Sequence, residues 1–259
     1  MDSPTLASAF REGTPLLGAW SMTAQPVVLE VLAGEGFDFL VVDGEHSENT
    51  IADLAMGVRT IDAVDTATDS VVRVSGPDRA EIRRVLDFGP AGIVIPQIES
   101  AEAAQRAVEA TAYPPDGVRG VAGGRASGYG TDLSKAVATA NESVATILQI
   151  ETEGALEDVE TIVEIDGLDA VFVGPADLSA RLGAFGDFDA EPFREAIDRI
   201  VAAARGADVP VGTLATGIDT IEARWNEWDV DFLVAGTDVG YLRRGAAAYL
   251  DRFDRSKTR

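Results

Sequence analysis

A chain of 259 residues that is 46% hydrophobic, with three Trp, ten Phe and four Tyr, has ample material for a packed core, which excludes global disorder. Its 44 acidic residues against 21 basic ones give a net charge of −23, which repels nucleic acid and anionic membrane surfaces. The absence of cysteine excludes disulfides, thiolate nucleophiles and thiolate metal ligands, and no apolar run approaches the roughly 20 residues that cross a bilayer.

Only two lysines occur, Lys135 and Lys257, so nearly all the basic charge is arginine. This carboxylate-rich composition resembles that of proteins from salt-loving organisms, in which concentrated salt screens repulsion to within a few ångströms. On that reading the acidic excess reports habitat rather than partner. The first fifteen residues mix Asp2, Arg11 and Glu12 into a short amphipathic stretch without the apolar core of a secretory signal, so a soluble, cytoplasmic protein is expected.

In chain order, short β-branched runs alternate with stretches of helical period. Strands are expected at 16–20, 39–42, 70–74, 92–96, 145–150, 170–173, 209–213 and 232–235. Amphipathic helices are expected between them, among them 26–35, 78–88 and 101–111, with apolar residues three and four apart. Most of the strands are apolar almost throughout, as in a parallel sheet covered on both faces. Eight strand and helix repeats in this length fit a (β/α)8 TIM barrel, read as a single domain over residues 1–259. An open doubly wound sheet is the alternative, but no strand leads into the Gly-x-Gly-x-x-Gly loop of a dinucleotide site. The connection from Tyr113 to Thr131 is too rich in glycine and proline for a regular helix. Its Arg119 and Arg125 suit an anion-contacting or subunit-contacting loop as well as a plain surface excursion.

In such barrels chemistry gathers where the strands end. Strand two ends in Asp43-Gly44-Glu45-His46, strand three holds Arg73, strand four ends in Pro96-Gln97, strand five in Gln149-Ile150-Glu151, strand six in Gly174-Pro175-Ala176-Asp177 and strand seven in Thr213-Leu214. Glu151 and Asp177 can share a proton, act as acid and base, or bind a hard divalent cation; with one histidine and no cysteine, Mg²⁺ or Mn²⁺ fits better than zinc. Taken singly, either acid is as well read as a helix cap or an ion-pair partner. Arg73 needs an anion, either a substrate carboxylate held bidentately or an interior Glu. The turn through Gly174 and Ala176 offers backbone N–H donors to a carboxylate. His46, the only histidine, suits proton transfer, with Asp43 and Glu45 beside it to orient the ring. A Schiff-base aldolase needs a lysine inside the barrel, and neither Lys135 nor Lys257 falls on a strand.

The stretches "GFDFLVVDGEHSEN", "VVRV", "VLDFGPAGIVIPQIESAEAA", "YPPDGVRGV" and "LQIETEGALEDVETIVEIDGLDAVFVGPADLS" resemble the HpcH/HpaI aldolase family, the metal-dependent class II pyruvate aldolases typified by 4-hydroxy-2-oxoheptanedioate aldolase. The resemblance runs from Gly18 to about Tyr241. It implies Glu151 and Asp177 as Mg²⁺ or Mn²⁺ ligands and Arg73 as the holder of the pyruvyl oxygens. Gln149 and the backbone of Gly174 and Ala176 would bracket the 2-oxo acid, and His46 would act as base through a water. Asp87 matches an aspartate that reaches the histidine of an adjacent subunit. The resemblance further implies a homo-oligomer, a hexamer built from dimers, with the C-terminal helix at about 238–254 packed on a neighbour. Leu214 and the "PQIES" stretch would line the aldehyde pocket, while "SMTAQPVV" and "GVAGGRASGYG" match only loosely.

The expected reaction is cleavage of a 4-hydroxy-2-oxo acid to pyruvate and an aldehyde through a pyruvate enolate. A malyl- or citryl-thioester lyase is the alternative enzyme, disfavoured because no basic cluster beyond Arg119 and Arg125 is present to hold coenzyme A phosphates. A barrel that binds 2-oxo acids without turning them over is the alternative outside catalysis.

Overall fold

The structure, a computed structural model, describes residues 5–253. Lys257 and the last residue of the expected 238–254 helix lie outside the described residues. Eight parallel strands close into a barrel in sequence order: β1 Leu16–Ser21, β2 Phe39–Asp43, β3 Asp69–Arg73, β4 Gly92–Ile95, β5 Ala145–Ile150, β6 Ala170–Val173, β7 Val211–Ala215 and β8 Phe232–Thr237. Helices α1 Leu6–Arg11, α2 Pro26–Gly34, α3 Ile51–Ala63, α4 Arg79–Asp87, α5 Ala101–Thr111 and α6 Leu133–Ser143 precede β5. After it come α7 Glu153–Glu157, α8 Val159–Ile162, α9 Pro175–Arg181, α10 Glu191–Gly206, α11 Ile221–Glu227 and α12 Asp238–Arg252. This is the expected (β/α)8 barrel.

The strand runs read as uniformly apolar divide cleanly by position. Leu40, Val42, Val72, Ile93, Ile95, Leu148, Ile150, Val171 and Val173 pack outward beneath the helices. Their alternates Trp20, Phe39, Val41, Val71, Val94, Ile147, Phe172, Phe232 and Val234 fill the interior, as the two-residue period of a strand requires. Helix α1 closes the N-terminal end of the barrel: Phe10 sits edge-on to Phe232 with ring centroids 4.8 Å apart. Interior glycines make room for these rings, since a Cβ on Gly212 would lie 2.1 Å from Cε2 of Phe232.

Several helix starts carry the caps their sequences suggest. Asp78, Ser100 and Thr50 accept backbone N–H groups at the starts of α4, α5 and α3. The seventh strand begins two residues later than the apolar run suggested. Pro210 has no N–H for the ladder, and Val211 donates its own N–H to the Asp231 carboxylate at 2.9 Å, which anchors the strand start there.

The 113–131 connection holds no regular helix, only a 3-10 turn at Arg125–Gly130. It joins the C-terminal end of α5 to α6 and so folds over the N-terminal ends of the strands, away from the mouth where the strands end. Arg119 is buried there, stacked on Tyr113 with its Cζ 4.5 Å from the ring centroid and donating to the Leu86 carbonyl at 3.0 Å. Arg125 pairs with Asp62 at 2.8 Å. Of the readings open for this loop, the plain surface excursion is corrected: both arginines are engaged within the chain and hold the loop against the barrel floor.

Candidate active site

The polar residues at the barrel mouth continue the inward-facing series of their strands. In β2 the series runs Phe39, Val41, Asp43; in β3 it runs Val71, Arg73; in β5 it passes Ala145 and Ile147 to Gln149 and, one step beyond the strand, Glu151. Phe172 of β6 is followed in register by Gly174, and Gly212 of β7 by Leu214. Register brings Asp43 directly beside Arg73.

Arg73 is held from several sides. Its Nε and Nη2 each lie 2.8 Å from Oδ1 of Asp43, its Nη1 lies 2.7 Å from Oε2 of Glu45, and its guanidinium covers the Trp20 ring at 4.6 Å. The interior-acid reading of Arg73 is thus realised, with Asp43 as well as Glu45 as partner, and the residue also lines the cavity. Asp43 also receives the Glu45 N–H at 3.0 Å, so both acids serve the arginine first. Asp43 makes its ionic contact with Arg73 through Oδ1, and no hydrogen bond joins it to His46 among the described residues. His46 is exposed at the rim with Nε2 3.8 Å from Oε1 of Glu45, and it lines the same cavity.

Glu151 is buried on the far side of this network. Its Oε1 accepts the Gln97 N–H at 2.9 Å and its Oε2 accepts from the Gln149 side chain. Gln97 adopts a left-handed backbone, φ 57°, and its side-chain amide donates to Oε1 of Glu45 at 3.0 Å, tying the two acids together. A non-glycine residue held in that region is the kind of strain that surrounds functional sites. Gly174 supplies space: a Cβ there would stand 2.7 Å from Oε2 of Glu151 and 2.9 Å from Nε2 of Gln149. Its own N–H is committed to the Ile150 carbonyl at 3.2 Å, so the expected backbone contact from Gly174 is corrected. In the first turn of α9, where no earlier carbonyl is in reach, the free amides are those of Ala176 and Asp177.

The donors present suit a hard divalent cation. Burial pushes the Glu151 carboxyl above its ordinary range, the bonds from Gln97 and Gln149 oppose the shift, and the charges of Glu45 and Asp177 add to it. Oε1 of Gln149 is buried without a partner, Asp43 and Glu45 pair with Arg73, and Asp177 lies near enough to Glu151 for its charge to be felt there. Among the described residues no three acidic, imidazole or thiolate groups converge on one point. Two carboxylates with the remaining positions left to substrate and water is the arrangement that Mg²⁺ and Mn²⁺ accept.

A cavity of about 370 Å³ opens above these groups, lined by Trp20, Arg73, Gln149, Asp177, His46 and Leu214 among others, a size suited to a small organic acid. The sequence model of the HpcH/HpaI aldolase/citrate lyase family matches residues 16–244. The chain belongs to this family. It is 37% identical over 251 residues to a hydroxypyruvate/pyruvate aldolase of Roseovarius nubinhibens, covering 96% of each chain. It is also 37% identical over 238 residues to a 5-keto-4-deoxy-D-glucarate aldolase of Salmonella arizonae, covering 92% of this chain and 91% of the relative. The crystal structure of an HpcH/HpaI aldolase/citrate lyase family protein from Burkholderia cenocepacia J2315 superposes with a TM-score of 0.90 at 35% identity, over 96% of this chain and 98% of that one. The chain is accordingly a carbon–carbon lyase of the aldolase/citrate lyase family.

Of the residues expected at the site, His46, Arg73, Asp43, Gln149, Gly174, Ala176, Asp177 and Leu214 line one cavity and Glu151 lies directly behind Gln149. Asp87 does not join them. It ends α4, with Oδ1 3.7 Å from Nη2 of Arg119 at the floor of the barrel. Sequence reasoning missed Trp20 beneath Arg73, the bridging role of Gln97, and the group of Phe188, Thr216, Thr220 and Arg224 on the opposite wall. Trp20 was legible as the last inward position of β1. Nothing local marks the others, because helix and loop residues reach the mouth only through the closure of the barrel.

Proposed function

We propose that the protein is a divalent-cation-dependent aldolase that cleaves and forms 4-hydroxy-2-oxo acids, giving pyruvate and an aldehyde. The supporting observation is the meeting of Glu151, Asp177, Arg73 and His46 at one barrel mouth. Glu151 and Asp177 would hold Mg²⁺ or Mn²⁺, which when bound polarises the 2-oxo acid and offsets negative charge. Arg73 binds the pyruvyl oxygens, and Asp43 and Glu45 hold its guanidinium plane in one orientation. The amides of Ala176 and Asp177 and the side chain of Gln149 orient the substrate carboxylate, while Trp20 and Leu214 keep bulk water from the reacting carbons.

In cleavage, His46 accepts the 4-hydroxyl proton through a water. The C3–C4 bond then breaks, its electron pair becomes the C2–C3 π bond, and charge develops on the 2-oxygen beside Arg73. Protonation at C3 releases pyruvate. Transfer of deuterium from solvent into the methyl group of pyruvate, followed by proton NMR with Mn²⁺ present, tests the enolate step without any choice of aldehyde. Exchange that survives chelation or Glu151→Ala would overturn the reading.

The same reading extends to assembly and setting. Helix α12 buries only Asp238, while Leu242, Tyr249 and Leu250 stand exposed along it. Helix α2 presents Val27 and Val31 on the facing side of an apolar groove shared with α12. Such a surface suits a homo-oligomer in which α12 packs on a neighbour and Asp87 of one subunit approaches His46 of another. No helix among the described residues is long and apolar enough to cross a membrane, in keeping with a cytoplasmic enzyme of small molecules.

A further inference from the structure

Trp20, Met22 and Thr237 line the cavity where β1 meets β8. Trp20 pairs with Thr237 in the ladder, so the residues that follow them, Ser21 and Asp238, emerge side by side. Asp238 opens α12 and is 6% exposed. Its Oδ2 accepts the Ser21 hydroxyl at 2.9 Å, the Thr23 hydroxyl at 2.8 Å and the Thr23 N–H at 3.1 Å. Its Oδ1 accepts the N–H of Met22 at 3.1 Å and that of Val239 at 2.7 Å. Hydrogen bonds to a charged acceptor are the strong ones, and here they converge from a short stretch of backbone. The next residue, Ala24, has φ 45°, a conformation that a residue with a Cβ keeps only where its surroundings fix it.

Met22 is gripped at its other backbone group as well. Nδ2 of Asn49 donates to the Met22 carbonyl at 3.1 Å and to the Asp43 carbonyl at 2.8 Å. Both acceptors are carbonyls, so only the amide nitrogen of Asn49 fits there. The β1–β2 ladder ends with the pair Ser21 and Val42, and Asn49 bridges the two strands one residue beyond it. Asp43 then takes Nε of Arg73 on its carboxylate at 2.8 Å. A continuous series of bonds therefore runs from the start of α12 through Met22 and Asn49 to the acid that aims Arg73.

We propose that Asp238 and Asn49 are positioning residues for Arg73: they clamp the ends of β1 and β2 at Met22 and Asp43, so that the Asp43 carboxylate presents the guanidinium to the 2-oxo acid in one orientation. This rests on the aldolase reading above, and two measurements separate the claims. The first is calorimetric titration of the Mn²⁺-supplied protein with pyruvate, which needs no turnover. Asp238→Asn keeps the size of the side chain, but whichever oxygen becomes an amino group, the N–H of Met22 or of Thr23 loses its acceptor. Asn49→Ala removes the bridge outright. Each variant is expected to bind pyruvate about threefold to tenfold more weakly, the scale of one or two lost hydrogen bonds. In deuterium exchange the loss appears chiefly in KM.

The second measurement repeats Asn49→Ala in an Asp43→Asn background. There the aim of Arg73 is already lost, so the added substitution costs little, whereas an Asn49 that merely supports the fold weakens both backgrounds by the same factor. Should Asp238→Asn fail to fold, Asn49→Ala carries the test, since Asn49 is half-buried and lies outside every strand and helix. Unchanged pyruvate affinity in Asn49→Ala, or equal losses with and without the Asp43 carboxylate, removes the proposal. A wild type that binds pyruvate but exchanges no deuterium instead removes the aldolase reading, and the calorimetry still decides whether the clamp positions Arg73. A wild type with no affinity for pyruvate removes both.

Discussion

Asp43 accepts from Nε of Arg73 on Oδ1 at 2.8 Å, with Nη2 also 2.8 Å from that oxygen, while its other oxygen is buried without a partner. This one-sided grip leaves the carboxylate as an aiming device rather than an equal partner. Asp43→Asn keeps the shape but removes the charge, and charge-assisted bonds of this kind contribute about 1.5–3 kcal/mol. Deuterium exchange into pyruvate is expected to fall about 10- to 100-fold, with a raised KM for pyruvate. A variant with wild-type exchange would show that Glu45 alone positions the guanidinium.

Gly174→Ala places a methyl group 2.7 Å from Oε2 of Glu151, closer than real contacts allow. Glu151 must shift, and with it one of the two carboxylates assigned to the cation. Mn²⁺ affinity, read by the loss of the free-ion EPR signal, is expected to weaken at least about tenfold, the scale of change seen when groups supporting a metal ligand are altered. Unchanged affinity would mean that Glu151 does not hold the ion.

Asp69, the first residue of β3, has a carboxyl that burial and the neighbouring Asp62 push up to about 6. A raised carboxyl pKa means that ionisation opposes folding. The associated stability is fully present below the ordinary value near 4, is lost as pH rises to about 6, and stays absent above it. Asp69→Asn is therefore expected to melt higher than the wild type at pH 7.5, by on the order of 2–4 °C once partial exposure is discounted, with the gap closing by pH 4. Calorimetry at the two pH values checks this, and a gap that widens on acidification would refute the assignment.

With 44 acidic and 21 basic residues, the folded chain repels itself. Raising KCl from about 0.1 M to about 3 M shortens the screening length from roughly 10 Å to less than 3 Å. The melting temperature is expected to rise by more than about 5 °C. A flat response would indicate that the acidic groups are spaced widely enough not to oppose folding.

Exposed Tyr249 and Leu250 near the end of α12 provide the assembly test. Replacing both with Ser removes apolar area from a helix that buries little against its own barrel. Light scattering is expected to show a smaller particle than the wild type, and an unchanged mass would exclude α12 from the contact.

The barrel and much of the mouth are legible in the sequence. Strands such as Phe39–Asp43 and Ala145–Ile150 are short apolar runs bounded by turns, and the polar residue that ends each inward series marks the site. The apolar run places the start of β7 two residues early because Pro210 continues it in hydrophobicity while lacking the donor a ladder needs. Glycines around Arg119 suggest an exposed loop, whereas the chain turns inward there and stacks the guanidinium on Tyr113.

By itself the sequence determined the alternation of strand and helix, the residue types at each strand end and the absence of any lysine placed for imine chemistry. These depend on period and composition, which are local. Only the tertiary structure decided that Asp43 and Glu45 serve Arg73, that a left-handed Gln97 ties Glu45 to Glu151, and that Arg224 faces them from the opposite wall. Those pairings join residues on different strands and helices, and only closure of the barrel sets the distances between them.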